Sequence, residues 1–334
     1  MRVAVLGGTR FIGVALVEDL LASGHEPLII HRGRSERADQ PRLEHVHIDR
    51  QEVGRLRAVL AGFDPEAFVD TGAYTGRDAE AAIAALPGEV RVVVLSSQDV
   101  YRAFYALRAG GRPLDAVPLN EDAPLRSERH ERYMFRGTPP LPGSAESTEM
   151  YENLDVEEAY RSIGATIIRP AVVYGERDIV RREEFLLRRV RAGRRQIPFG
   201  VGNLLWSRVY VRDVAALIRL AVESGIAAGE TLNASEQATW SMEEWARRVL
   251  AAAGSDAELV RVPDDALPED LALTGTFRQH VLTDSTRARA VLQWEETNPR
   301  DALTRSVSWH LAHPPDLDTD FTGDDDSLAL ATDG

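Results

Sequence analysis

The chain has 334 residues and a net charge of −14, from 39 basic and 53 acidic side chains. It contains neither Lys nor Cys, so every basic residue is Arg. These absences exclude disulfides, thiolate metal sites, a Cys nucleophile, a Schiff base and any phosphate loop built on Lys. The acidity weighs against binding a nucleic-acid backbone, which needs a basic face. No apolar run reaches the roughly 20 residues that span a bilayer. Met1 leads straight into a strand pattern rather than a signal-type segment. A cytoplasmic protein with no metal site is expected.

Arg2 to Leu6 reads as a short buried strand. Phe11 to Ala22 reads as a helix, apolar at 12, 16, 17, 20 and 21, and Gly24 stops it. Pro27 to His31 is a second strand, which makes a βαβ start and implies a parallel sheet. Further strands are expected at Ala67–Asp70, Arg91–Ser96 and Ala165–Arg169, with helices at Gln51–Leu60, Arg77–Leu86 and Tyr151–Ser162. The alternation predicts an α/β fold with a doubly wound parallel sheet.

Tyr101 to Thr148 breaks the pattern, and a loop of that length in a compact domain is usually functional or disordered. It holds Arg102, Arg108, Arg112, Arg126, Arg129, Arg132 and Arg136, which points to an anionic small-molecule substrate; His130 is expected at the surface. Arg181 to Arg195 carries seven Arg around one apolar helix face, either an anion-binding lip or a solvated basic face with Glu183 and Glu184 as local partners. Helices are expected at Val211–Ser224, Ser241–Ala253 and Arg300–Ala312, and a strand at Glu230–Asn233. Pro314 to Gly334 holds seven Asp and no basic residue. Residues 313–334 therefore read as a solvated, disordered acidic tail.

The chemistry is most legible at the first turn. Gly7-Gly-Thr-Arg-Phe-Ile-Gly13 runs from strand to helix. Small residues let the backbone approach a pyrophosphate, and the helix N-terminus offers N–H groups and a positive dipole end. Arg10 replaces the middle Gly of the spacing and either adds a cation near the phosphates or lies along the surface. The second strand ends in His31-Arg32-Gly33-Arg34, with no acid to bind a ribose 2′-hydroxyl. Arg32 either pairs with a 2′-phosphate, favouring NADP over NAD, or is solvated. Asp49 either accepts from the adenine amine or caps a helix.

Together the motifs resemble the extended short-chain dehydrogenase/reductase family, also called the NAD-dependent epimerase/dehydratase family. The order is Gly7-to-Gly13, Asp70-Thr-Gly-Ala-Tyr74, Ser96-Ser-Gln-Asp-Val-Tyr101, Asn120-Glu-Asp-Ala-Pro124, Arg169-Pro-Ala-Val-Val-Tyr-Gly175 and Val211-Arg-Asp-Val-Ala215. The form of the glycine loop is most similar to an atypical branch containing bacterial epimerases and reductases and the chloroplast stem-loop-binding proteins. The resemblance implies a doubly wound parallel Rossmann sheet carrying a nicotinamide cofactor, with a smaller C-terminal substrate-binding domain: residues 1–175, with 206–235 returning to them, as the dinucleotide-binding domain, and 176–205 and 236–312 as the substrate-binding part. With the readings above, the candidate cofactor contacts are Gly7, Thr9, Arg10, Phe11, Ile12, Gly13, Arg32, Asp49, Thr71, Gly72, Ala73 and Pro170. It implies Ser97 and Tyr151 at the catalytic Ser and Tyr positions, and a homodimer.

The sequence departs from the family at the motif Tyr-x-x-x-Lys, which here reads Tyr151-Glu-Asn-Leu-Asp155. On helical spacing Asp155 sits one turn beneath Tyr151. A carboxylate there raises the tyrosine above its usual value of about 10, leaving it a donor rather than a base. Asp99 falls where nucleotide-sugar dehydratases carry a proton-abstracting Glu, and either serves as base or caps a turn; Gln98, at the acid position, cannot ionise. Trp206 stands where nucleotide-sugar members carry an Arg for the diphosphate, and Asp213 is expected to cap the following helix.

The resulting reading is an NAD(P)-dependent epimerase, dehydratase or reductase. It acts on a hydroxyl or keto group of a sugar, sugar nucleotide or specialised metabolite, through a site lacking the usual Lys. The alternative is a non-catalytic NAD(P)-binding sensor or scaffold. RNA binding, suggested by the chloroplast relatives, is opposed by the charge.

Overall fold

The computed structural model describes residues 1–34, 45–110, 113–129, 151–316 and 320–331. Strands β1 (Arg2–Leu6), β2 (Glu26–His31), β3 (His45–His47), β4 (Ala67–Asp70), β5 (Arg91–Leu95) and β6 (Thr166–Pro170) all join one sheet. Two short parallel pairs follow. One joins β7 (Val172–Tyr174) to β9 (Arg208–Tyr210), and the other joins β8 (Gln196–Phe199) to β11 (Glu258–Arg261). Strand β10 (Thr231–Ala234) returns to the main sheet beside β6, giving the seven-stranded order β10-β6-β5-β4-β1-β2-β3, parallel throughout.

Alternation along each strand builds two cores. Val3, Val5, Val69 and Val93 face one side, against α1 (Phe11–Ala22). Ala4, Leu6, Phe68, Val92 and Val94 face the other, against α2 (Val53–Phe63) and α3 (Gly76–Ala85). The strand order reverses between β1 and β4, so a crevice opens at their carboxyl ends, where such sheets bind ligands.

Helix α4 (Arg102–Ala109) lies within the segment that shows no sequence period. Helix α5 (Asn153–Arg161) packs on α3. The helix expected to begin at Tyr151 therefore begins two residues later, leaving Tyr151 outside it. The C-terminal part contains α6 (Glu184–Arg191), α7 (Val211–Glu223), α8 (Met242–Ala252), α9 (Thr286–Leu292) and α10 (Pro299–Ala312). Among the described residues no helix is long and apolar enough to cross a membrane.

The acidic tail departs from expectation. Residues Thr322–Leu328 form a last helix, α11, whose Asp324 is buried. Asp324 accepts from Arg189 Nε at 2.7 Å and Nη2 at 2.6 Å, and Asp270 accepts from Arg189 Nη1 at 2.7 Å. Arg194 pairs with Asp325, and the guanidiniums of Arg188 and Arg194 lie over the Phe321 ring. The physical reason is charge complementarity. The arginine run is spent on the chain's own carboxylates, with Arg181 and Arg191 on Glu184 and Arg182 on Asp178. Glu184 is thus a local partner of the run, as expected, while the buried Arg189 is turned inward onto Asp270 and Asp324.

Removing one partner of a buried ion pair costs about 3–5 kcal/mol, because the other charge is left uncompensated. Asp324→Ala is expected to lower unfolding free energy by about 3 kcal/mol in urea. A change within about 0.5 kcal/mol, ordinary for surface positions, would mean that α11 does not dock in solution.

Candidate functional site

The cofactor crevice is built from small residues under steric constraint. After β1 the chain turns through Gly7 and Gly8, at φ +122° and +87°, which L side chains rarely adopt. A Cβ on Gly7 would lie 2.0 Å from Thr71 Oγ1, and one on Gly13 2.6 Å from Gly8 Cα. Phe11, the first residue of α1, holds a positive φ of +35°, a strained value for a bulky residue. Arg10 is the helix N-cap residue; it makes no side-chain cap and is exposed at the crevice. Thr9 is buried and Ile12 half-buried. This cradle, close-packed and ending at a helix N-terminus, fits a pyrophosphate.

Thr71, Gly72 and Ala73 form the opposing wall after β4. Thr71 N–H donates to Leu6 O at 3.1 Å, and Gly72 N–H to Asp70 Oδ1 at 3.0 Å. Asp70 is fully buried and takes a bidentate pair from Arg50, at 2.8 and 3.2 Å, plus the Tyr160 hydroxyl at 2.7 Å. Arg50 and Tyr160 support the wall from beneath, a role that sequence reading missed. The available signal was an acid at the end of an otherwise apolar strand.

At the end of β2, Arg32 is exposed beside three histidines. Gly33 N–H donates to His31 Nδ1 at 3.1 Å, so the His31 proton sits on Nε2, which faces His45 Nδ1 at 3.0 Å. The His47 ring stands edge-on to His31 with centroids 4.9 Å apart. Asp49 Oδ1 accepts from Gln51 N–H at 3.0 Å, a turn before α2 rather than a cap on its first residues. Pro170 ends β6 and is buried.

The reactive groups meet just beyond β5. Ser97 Oγ accepts from Asp99 N–H at 3.2 Å and thereby caps the single 3₁₀ turn Gln98–Val100. Ser97 does the capping, which frees the Asp99 carboxylate to turn into the site. The Tyr151 hydroxyl donates to Asp99 Oδ2 at 2.7 Å. Asn153 Nδ2 donates to Asp99 Oδ1 at 3.1 Å and to the Tyr151 oxygen at 2.6 Å. Burial raises Asp99 above the usual carboxylate range, opposed by Arg126, Tyr151 and Asn153. Burial, and then the Asp99 charge, push Tyr151 well above its ordinary value. Tyr74 lies beside it, ring centroids 6.0 Å apart. Tyr74 is itself raised by burial, while Arg50, Arg10 and Arg32 pull it down, so these three cations share the crevice.

Asp155 does not occupy the place that helical spacing assigns it. Because Tyr151 precedes α5, the two residues are not one helical turn apart. Asp155 pairs with Arg129 and lies against Gly76. The carboxylate acting on Tyr151 is Asp99, and the α5 residue that reaches the tyrosine is Asn153, which sequence reading passed over.

Two buried ion pairs hold this geometry. Arg126 and Glu152 are both buried, with Nη1 to Oε2 at 2.9 Å; Arg126 Nε also donates to the Asp99 carbonyl at 3.0 Å, and Glu152 caps α5 through Leu154 N–H. Arg169 grips Glu157 at 2.8 and 2.6 Å, and Glu157 accepts from Ser96 Oγ at 2.5 Å. Arg169 also donates to the Tyr101 hydroxyl and to Glu121 O, both at 3.1 Å; Tyr101 OH donates to Asn233 Oδ1 at 2.7 Å. Motif residues scattered over the sequence thus form one buried network.

Other positions are structural. With its amide oxygen turned toward them, Gln98 accepts from Val172 N–H at 3.1 Å and Trp206 Nε1 at 2.8 Å. Trp206 is buried against Phe104. Asp213 does not cap α7; it accepts from Thr297 N–H and Oγ1 at 3.0 and 2.6 Å, pinning the segment before α10. Arg102 pairs with Asp115. Arg112, His130, Arg132 and Arg136 lie outside the described residues.

The cradle yields a direct test. Gly7→Ala forces a Cβ into Thr71 at an unfavourable φ and should weaken NADPH binding by about tenfold or more in a fluorescence titration, a loss of about 1.4 kcal/mol. Unchanged affinity would separate the glycine turn from cofactor binding.

Comparison with known proteins agrees with this architecture. A model of the NAD dependent epimerase/dehydratase family matches residues 3–103. The chain is 30% identical over 334 residues to the 3-diazoavenalumate denitrifying reductase of a Streptomyces species, covering 91% of this chain and 100% of that protein. It is 24% identical over 343 residues to the chloroplast stem-loop binding protein of 41 kDa b from Arabidopsis thaliana, covering 97% and 83%. Among solved structures, the UDP-glucose 4-epimerase of Thermotoga maritima, with UDP-glucose, superposes with a TM-score of 0.66 at 20% identity, over 92% of this chain and 98% of that one. That likeness speaks to the fold. With the glycine cradle, the switch-point crevice and an extended sequence match in agreement, the chain belongs to the NAD-dependent epimerase/dehydratase family.

Proposed function

We propose that the protein is an NAD(P)H-dependent reductase of a keto group on a small sugar-like or specialised metabolite. The observation that carries this reading is the buried Tyr151–Asp99 contact at 2.7 Å. Both groups are pushed toward holding their protons, first by burial. A protonated tyrosine is an acid, and reduction of a carbonyl needs an acid at the oxygen.

In this reading the bound dihydronicotinamide supplies the hydride. Tyr151 donates its proton to the substrate oxygen as the carbonyl carbon is reduced to a carbinol. Asp99, whose hold on a proton burial strengthens, passes a proton to the Tyr151 oxygen when it is in its acid form, so the tyrosine is not left as a buried anion. Ser97 stands beside the pair as a second hydrogen-bond donor to the substrate oxygen. Gly7 to Gly13 and Thr71 to Ala73 would hold the pyrophosphate, Asp49 the adenine and Pro170 the nicotinamide end. Arg32 would pair with a 2′-phosphate, which would favour NADPH. The 30% identity to a 3-diazoavenalumate denitrifying reductase supports net reduction.

A second reading, redox-neutral epimerisation or elimination with ionised Asp99 as base, is favoured by the placement of a carboxylate at the reacting centre. The two diverge on assay. Reduction predicts NADPH consumption with a panel of keto-sugars and small ketones. Tyr151→Phe and Asp99→Asn should each lower turnover by about 10²-fold or more, a general-acid loss, with cofactor affinity kept. Full turnover in Tyr151→Phe would sink the acid assignment.

A further inference from the structure

The reactive pair is flanked by a side chain that neither the family motif nor the reaction above assigns. Asn153 is buried in the first turn of α5, and its amide nitrogen lies 3.1 and 3.3 Å from the two Asp99 oxygens and 2.6 Å from the Tyr151 oxygen. One amide group therefore donates toward both members of the pair. An amide nitrogen is donor only, so it stabilises negative charge on either oxygen and competes for none of the protons.

We propose that Asn153 is the positioning residue of this centre, holding Asp99 and Tyr151 against each other and stabilising the negative charge that the pair takes on when Asp99 ionises. The inference rests on the reading of Asp99 and Tyr151 as the proton-handling pair. Its physical basis is direct contact with both members of the pair. Among the described residues, the ionisable groups facing Asp99 are Tyr151, Arg126 and Glu152, with Tyr74 behind the tyrosine. The Arg126 charge is shared with Glu152, and its Nε donates to the Asp99 backbone oxygen. The carboxylate oxygens themselves are reached by Tyr151 and by Asn153.

Removing the amide takes away a donor from the charged form of Asp99. The carboxyl then holds its proton to higher pH. A hydrogen bond to a charged group is worth enough to move the midpoint up by about one pH unit.

The test needs no substrate. Full-length protein carrying ¹³C-carboxyl aspartate is titrated by NMR, with the Asp99 resonance identified by its loss in Asp99→Asn. The midpoint should lie above the usual aspartate range of about 4 in the parent chain. It should rise by about one further unit in Asn153→Leu and in Asn153→Ala. Two variants are used because either could fail to fold. An unmoved or lowered midpoint in whichever folds overturns the proposal. A raised midpoint in a protein that reduces no carbonyl would retire the reductase reading and leave the role of Asn153 standing. An unmoved midpoint in an active reductase would do the reverse.

Discussion

Helix α5 is docked onto the carboxyl edge of the sheet by buried ion pairs, and the site depends on that docking. Arg169, from the end of β6, grips Glu157 with both arms; Arg126, from the segment after α4, grips Glu152 at the helix start; Arg50 and Tyr160 meet on Asp70. Buried ion pairs add little net stability, because desolvation offsets the attraction. What they provide here is direction. Each guanidinium fixes the distance and rotation of α5 relative to a strand end, and the two residues that meet Asp99, Tyr151 and Asn153, flank the helix start. An apolar interface alone would leave that rotation less well defined. The same charge logic recurs at the far end of the molecule, where Arg189 holds Asp270 and Asp324.

A chain without Lys changes the chemistry its fold can perform. A tyrosine next to a lysine ammonium is poised to lose its proton. A tyrosine buried against a carboxylate is poised to keep it. The local structure follows from the first turn of α5: because the helix starts at Asn153, Tyr151 lies on the approach to it and swings inward to Asp99. Asp155 swings outward to Arg129. Electrostatics then favour proton donation.

The parts of the structure legible in the sequence are those governed by local rules. The βαβ start, the glycine turn and the buried apolar strands can be read because strand period, helix period and steric demand act over a few residues. The helix boundaries at Val211, Met242 and Pro299 fall within one residue of expectation for the same reason. Sequence reading singled out Ser97, Asp99 and Tyr151, which the fold brings together, but not the residues that hold them. Arg50, Arg126 and Asn153 act through contacts set by tertiary folding, and a helix start misplaced by two residues transferred the electrostatic role of Asp99 to Asp155. The tail was misjudged differently. A block of seven Asp looks solvated by itself, and it is the pairing of Asp324 and Asp325 with Arg189 and Arg194 that docks α11. Both runs were visible; the missing step was to match them.

The central claim is that this crevice takes a reduced cofactor, uses it once and releases it. The most direct measurement is to denature the protein as isolated, identify and quantify any nucleotide by mass spectrometry, and titrate the native protein with NADPH and NADH. The account predicts a largely empty site that binds NADPH reversibly and more tightly than NADH. Near-stoichiometric NAD retained through purification would contradict it, because a cofactor that stays bound belongs to redox-neutral chemistry, in which hydride is borrowed and returned.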